Sequence, residues 1–134
     1  MEFKHRTDIQ LRFKDADAMG HINNANHFTY FELARIYYLR EVLGKEINWK
    51  QEGIILARMT IDYKKPLLLN DQVHVMTRCI RAGNKSFDLE YLLMKAEVES
   101  EMVVASGISV LVCYDYPNSK SMLIPEEWKI KLTT

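Results

Sequence analysis

Asp15, Asp17, His21, Asn23, Asn24, Asn26 and His27 fall within one stretch, Asp15-Ala-Asp17-Ala-Met-Gly20-His21-Ile-Asn23-Asn24-Ala-Asn26-His27, the densest cluster of chemically capable residues in the chain. Three chemistries compete for it. A calcium loop fits Asp15, Asp17 and Gly20 at its first, third and sixth positions. It fails at Met19 and at Asn26, where a bidentate Glu is needed. Zinc needs three or four ligands at known spacing, and His21 and His27 stand six apart with no H-E-x-x-H motif. The third reading is catalytic. A helix N-terminus offers unpaired backbone N–H groups and partial positive charge, which can hold a carbonyl oxygen as it becomes negative. Asp17, in the preceding loop, could attack an ester or thioester carbonyl or act as general base on a water, with His21 and the asparagines orienting acid or substrate. The same residues also suit plain capping and turn formation, so residue types alone leave catalysis and capping both open.

That reading needs a helix after Asn24, and the sequence supplies one. From Ala25 to Leu43 there is no Gly or Pro, Asn23-Asn24 can cap the start, and Gly44 stands where a C-terminal glycine is expected. Phe28, Tyr30, Phe31, Leu33, Ala34, Ile36, Tyr37, Tyr38, Leu39, Val42 and Leu43 point nearly all round its axis, so other elements must wrap it. Strands supply the wrapper. Residues 8–14 alternate in polarity, and 54–64, 72–82, 86–98 and 101–115 are β-rich and separated by turn signals. In 101–115 both rows are apolar or small, which predicts a central strand buried on both faces. Pro125 predicts the opening of a short terminal helix. One antiparallel sheet curled around one long central helix, an α+β fold in a single domain over 1–134, satisfies these patterns.

Composition narrows the classes. In 134 residues, 18 Lys+Arg balance 18 Asp+Glu, which argues against nucleic acid as partner. With 48% apolar residues the chain is not disordered. Cys79 and Cys113 sit in apolar runs and form no C-x-x-C pair, so they read as small buried hydrophobes. No leader-like apolar segment and no charge-free span of membrane length is visible, which makes a reducing cytoplasm the expectation. Glu32 and Arg35, three apart on an apolar helix, read as a structural pair before a second catalytic acid. Met59, Met76 and Met94 read as core filling. Ser86 and Ser106 lack a nucleophile-elbow motif, which speaks against a serine hydrolase.

The stretch from Asp15 to His27, followed by Tyr30-Phe31-Glu32-Leu-Ala-Arg35, resembles the hotdog-fold acyl-CoA thioesterases of the 4-hydroxybenzoyl-CoA thioesterase type. The segments Ile61-Asp62-Tyr63-Lys64-Lys65-Pro66-Leu67 and Gly107-Ile-Ser-Val-Leu-Val-Cys113-Tyr-Asp are similar to that family too, so the resemblance spans nearly the whole chain. Asp17-x-Met19-x-His21-x-Asn23-Asn24 also resembles the D-x-N-x-H-x-N-N pattern of plant acyl-carrier-protein thioesterases, with Met19 in place of the first Asn.

The resemblance implies a hotdog fold, hydrolysis of an acyl-CoA, and dimers or tetramers with active sites at subunit interfaces. It implies no metal and no cofactor beyond the coenzyme A of the substrate, and no nucleic acid or membrane partner. Asp17 matches the family's catalytic carboxylate, with His21 beside it; Asn24 and Ala25 match the helix start that polarises the carbonyl, and His27 joins them as a substrate contact. Coenzyme A carries phosphates, which Lys64, Lys65, Arg81 and Lys85, with Arg78, could meet. Two rivals stay open on the sequence: hydrolysis of acyl-carrier-protein thioesters, and a non-catalytic acyl-thioester binding protein on the same fold.

Overall fold

The computed structural model describes residues 2–44 and 52–134. The elements run β1 (His5–Ile9), a 3-10 turn (Phe13–Asp15), α1 (Asn26–Leu43), β2 (Glu52–Tyr63), β3 (Val73–Ala82), β4 (Ser86–Glu97), β5 (Ser100–Asp115), β6 (Lys120–Ser121) and α2 (Glu126–Leu132). The sheet has the order β1-β3-β4-β5-β2, every pairing is antiparallel, and β6 adds to the end of β5. This is the expected antiparallel sheet with one long helix.

Period-two burial makes the core. On β4, Phe87, Leu89, Tyr91 and Leu93 are fully buried, and Leu111 and Cys113 continue that layer on β5. α1 lays Tyr30, Phe31, Ala34, Tyr38, Leu39 and Leu43 onto it. Gly107 lets the helix approach closely: a Cβ there would stand 3.1 Å from Phe31 Cε2 and 3.2 Å from the Thr60 carbonyl oxygen. Phe31 accordingly lies stacked on Tyr91, centroids 5.2 Å apart. Gly44, with φ 94°, ends the helix where expected, since only glycine adopts that conformation without strain.

Three expectations need adjustment. The first strand is His5–Ile9, not 8–14, and Phe13 is 87% exposed. The chain leaves the sheet because Asp15 folds back on Arg12, whose backbone N–H donates to its carboxylate at 3.2 Å while Asp15 N–H donates to the Arg12 carbonyl at 2.9 Å. Second, β5 lies between β4 and β2 as an interior strand, yet Val110 and Val112 are only half-buried and Ile108 is exposed. Among the described residues no layer covers that face. Third, the sheet covers one side of α1 only, leaving Phe28, Leu33, Ile36 and Tyr37 exposed.

Candidate active site

Asp15 and Asp17 are two residues apart and have opposite fates. Asp15 is 1% exposed; Tyr30 Oη donates to its Oδ2 at 2.7 Å, and Arg12 Nη2 and Nε approach its Oδ1 at 2.9 and 3.1 Å. Burial alone would raise its pKa. The hydrogen bonds from Arg12 and Tyr30, with the Arg12 charge, outweigh that and hold the carboxyl below its ordinary value. Asp15 also organises backbone: its carbonyl accepts from Asn23 N–H at 2.9 Å and from Asn26 Nδ2 at 3.0 Å. It ties the loop to α1 and is closed to a ligand.

Asp17 lies exposed at the turn of that loop. Its Oδ1 accepts from Met19 N–H at 2.9 Å and His21 N–H at 3.2 Å, and its own N–H donates to the His21 carbonyl at 2.7 Å. Gly20, at φ 80°, makes that tight return possible. Oδ2 has no protein partner among the described residues, so the carboxylate is oriented through one oxygen and open at the other. Asp17, His21, Ile22, Asn23 and Asn24 line a cavity of about 330 Å³ whose far wall is Pro66 and Leu67.

The amides entering α1 can be followed one by one. His21 N–H goes to Asp17 Oδ1, Ile22 to the Leu67 carbonyl, Asn23 to the Asp15 carbonyl, and Ala25 to Asn23 Oδ1 at 2.9 Å. Asn26 and His27 N–H return to the carbonyls of Asn23 and Asn24. Asn24 N–H alone has no acceptor among the described residues, and Asn24 lines the cavity. A residue with an oriented carboxylate and one with an unused peptide N–H therefore line one small space. That pair of groups can activate a nucleophile and stabilise an oxyanion.

The opposite wall comes from the end of β2. Lys64 and Lys65 N–H both donate to the Val104 carbonyl, which turns the chain into Pro66 and Leu67, and Leu68 bridges to His21. Tyr63, the last residue of β2, donates its phenol to the Asn24 carbonyl at 2.8 Å. Burial pushes the Tyr63 pKa up, so it stays an O–H donor. Sequence reasoning missed this contact, and beyond the Tyr63 position itself there was no signal to find, because the acceptor is a backbone carbonyl.

The remaining candidates are distributed unevenly. His21 lines the cavity, whereas His27 does not: it is buried behind the helix entry, its ring 5.0 Å from Tyr63 and 5.9 Å from Tyr30, with Nδ1 unpartnered. Burial lowers its pKa against the opposing Asn24 and Asn23 carbonyls, so it is held neutral. Ala25 N–H is already taken by Asn23, leaving Asn24 as the open donor of the expected pair. Lys64 and Lys65 sit beside the cavity wall, but Lys85 is anchored at Cys113, nine residues along β5 from Val104. At ~3.3 Å per residue the two basic groups are about 30 Å apart in one chain. Arg81 is bound by Asp88 at 2.9 and 3.0 Å and by Ser86 at 2.7 Å, and Arg78 by Glu90 at 2.6 Å. Glu32 is exposed and 4.0 Å from Arg35, which instead points its Nη1 to the buried Tyr91 phenol at 3.3 Å. Tyr91 in turn shares a 2.7 Å hydrogen bond with Ser109. Among the described residues no group of three or more His, Cys, Asp or Glu side chains is arranged to hold a metal, and no helix is long and apolar enough to cross a membrane.

Comparison with known proteins agrees with this architecture. A family model described as the thioesterase-like superfamily matches residues 11–132. The long-chain acyl-CoA thioesterase FadM of Escherichia coli is 25% identical over 95% of this chain and 96% of its own. A thioesterase from Thermus thermophilus, solved with coenzyme A and zinc, is 33% identical and superposes with a TM-score of 0.85 over 99% of this chain and all of that one. A gentisyl-coenzyme A thioesterase structure is 26% identical, with a TM-score of 0.82 over 95% of this chain and 98% of that one. The sheet-and-helix arrangement is thus the hotdog fold of these proteins.

Proposed function

Because the chain belongs to the thioesterase-like superfamily, we propose that it hydrolyses an acyl-CoA thioester to the free acid and coenzyme A, with Asp17 as nucleophile or general base. The observation that carries this reading is that one cavity is lined both by Asp17, whose carboxylate is held through Oδ1, and by Asn24, whose N–H has no acceptor among the described residues. The thioester carbonyl lies between them. Its oxygen takes the Asn24 amide and the positive end of α1, and its carbon faces Asp17 Oδ2 or a water that Oδ2 deprotonates. The thiolate of coenzyme A leaves and is protonated from solvent, and water supplies the oxygen of the acid. Relatives named for long-chain and for gentisyl substrates support the acyl-CoA class and leave the acyl group itself to the assay.

The enzyme works as a homodimer or homotetramer in this reading. β2 is a twelve-residue edge strand with exposed Leu56, and the apolar row on α1 lies bare in a single chain. A second copy pairing antiparallel along β2 reverses the direction of its sheet. Its 82–85 turn then comes to the end that carries Asp17, where Lys85 joins Lys64 and Lys65 near the phosphates of coenzyme A.

Thiol release from short, long and aromatic acyl-CoAs, compared between wild type and Asp17→Asn, is the direct test. Turnover of at least one substrate should fall about a hundredfold or more in the variant, the scale of a lost general base. Near-normal turnover by Asp17→Asn rejects the assignment.

A further inference from the structure

Asn24 is held unequally on its two sides. Its N–H, within the peptide that joins it to Asn23, donates to nothing among the described residues, while its carbonyl accepts twice, from His27 N–H at 3.2 Å and from the Tyr63 phenol at 2.8 Å. The Tyr63 bond is the shorter, and it comes from outside the loop. Tyr63 stands opposite Ala105 in the β2–β5 ladder, so its position is set by the sheet and not by the loop it touches. Its ring is braced edge-on by the buried His27 ring at 5.0 Å. The phenol is thus a fixed point to which the helix entry is fastened. We infer that Tyr63 is a positioning residue for thioester hydrolysis, its hydroxyl fastening the Asn24 carbonyl so that the open Asn24 amide meets the substrate's carbonyl oxygen at a set angle.

This rests on the reading of Asn24 as oxyanion donor, and the physics is that of preorganisation. A donor aimed at developing charge works only if it does not have to reorient during the reaction, and small misplacements carry large rate penalties. Nothing about Tyr63 need touch the substrate for it to act this way.

The test places Tyr63→Phe beside Asp17→Asn in the same thiol-release assay, and adds amide hydrogen exchange on the wild type and Tyr63→Phe. Tyr63→Phe should lower kcat about tenfold to a hundredfold, the range expected for a misplaced reacting geometry. KM should stay within about twofold, because ground-state binding does not use the donor's angle. A merely structural role predicts the reverse, with KM rising along with a loss of thermal stability. Exchange at residues 25–27 should quicken by about tenfold while that of the β4–β5 ladder is unchanged, as expected of local opening. Wild-type kcat in Tyr63→Phe, or a fall in kcat matched by a rise in KM, overturns the inference. Should Asp17→Asn turn over normally, it is the proposed function that fails. The exchange data then judge only whether Tyr63 fastens the helix entry, faster exchange at 25–27 supporting that fastening and unchanged exchange overturning it.

Discussion

The Tyr30 phenol donates a 2.7 Å hydrogen bond to the Asp15 carboxylate at the point where the site loop meets α1. This bond holds a buried charge in place and, with it, the loop that carries Asp17. Tyr30→Phe leaves the carboxylate with Arg12 alone, Oδ2 of a buried anion losing its shortest donor and keeping only the longer bonds from Arg12 N–H and Nε at 3.2 and 3.4 Å. Unfolding in urea should show a loss of roughly 1–3 kcal/mol, the cost of an unmade buried hydrogen bond. Unaltered stability would mean that Arg12 suffices and that the loop does not depend on the helix.

Acid should weaken the fold in two stages. Burial is the largest cause lowering His27, opposed by the Asn24 and Asn23 carbonyls; burial likewise lowers His74, helped by Arg6 and opposed by Glu101 and Asp8. A histidine with a lowered folded pKa takes its proton more readily when the chain unfolds. Its stabilisation is therefore complete above the ordinary value of 6.5 and is lost as pH falls from there toward the lowered folded values. Asp15 has the same sign, its share being complete above 3.8 and fading as pH drops below it. Melting temperature followed between pH 7 and 5 should fall, and less steeply in His27→Phe, which keeps the ring packing against Tyr30 and Tyr63. An equal slope in His27→Phe would show that His27 is not held neutral.

How far the sequence could be read divides along physical lines. The end of α1 at Gly44 and the turn at Gly20 were visible because a single residue type answers each local demand. Asp17 was visible as a carboxylate just before a helix start. Which of Asp15 and Asp17 would be buried was not, since both are the same residue two positions apart and the choice is made by Arg12 and Tyr30 in three dimensions. The strand expected over 8–14 failed for the same cause: alternation counts polarity and cannot register a carboxylate folding back on Arg12. Tyr63 reaches across 39 residues to a backbone carbonyl, and a main-chain acceptor leaves no mark in side-chain spacing.

Lys64 and Lys65 should matter for coenzyme A in every assembly of the protein, because both flank the wall that carries Pro66 and Leu67. Replacing the pair with alanine removes positive charge from beside the cavity without touching Asp17 or Asn24. KM should rise severalfold and kcat should change little, the pattern of lost ground-state binding. Lys85→Ala should raise KM only where two copies share a site, since in one chain it lies about 30 Å along the sheet from Lys64. Assaying both variants against protein concentration, with the mass in solution measured in parallel, separates the two cases. A loss of kcat in the Lys64/Lys65 variant would show that the charges act on the reaction itself.

Gly107 sets how closely α1 lies on the sheet. A Cβ added there meets Met59 Cε at 2.9 Å, Phe31 Cε2 at 3.1 Å and the Thr60 carbonyl oxygen at 3.2 Å. The methionine end can swing aside, but the Phe31 ring is locked against Tyr91 and Thr60 is strand backbone. Gly107→Ala should therefore cost about 1–3 kcal/mol, as overpacking of a tight core does. Because Phe31 stands five residues into the helix that begins at Asn26, the strain falls on the element that also presents Asn24. Pairing the change with Phe31→Leu gives the ring's space back to the new methyl group, so urea unfolding of the double variant should recover part of the loss relative to Phe31→Leu alone. If Gly107→Ala proves as stable as wild type, the helix is free to lift from the strand and Phe31 is not what fixes its height.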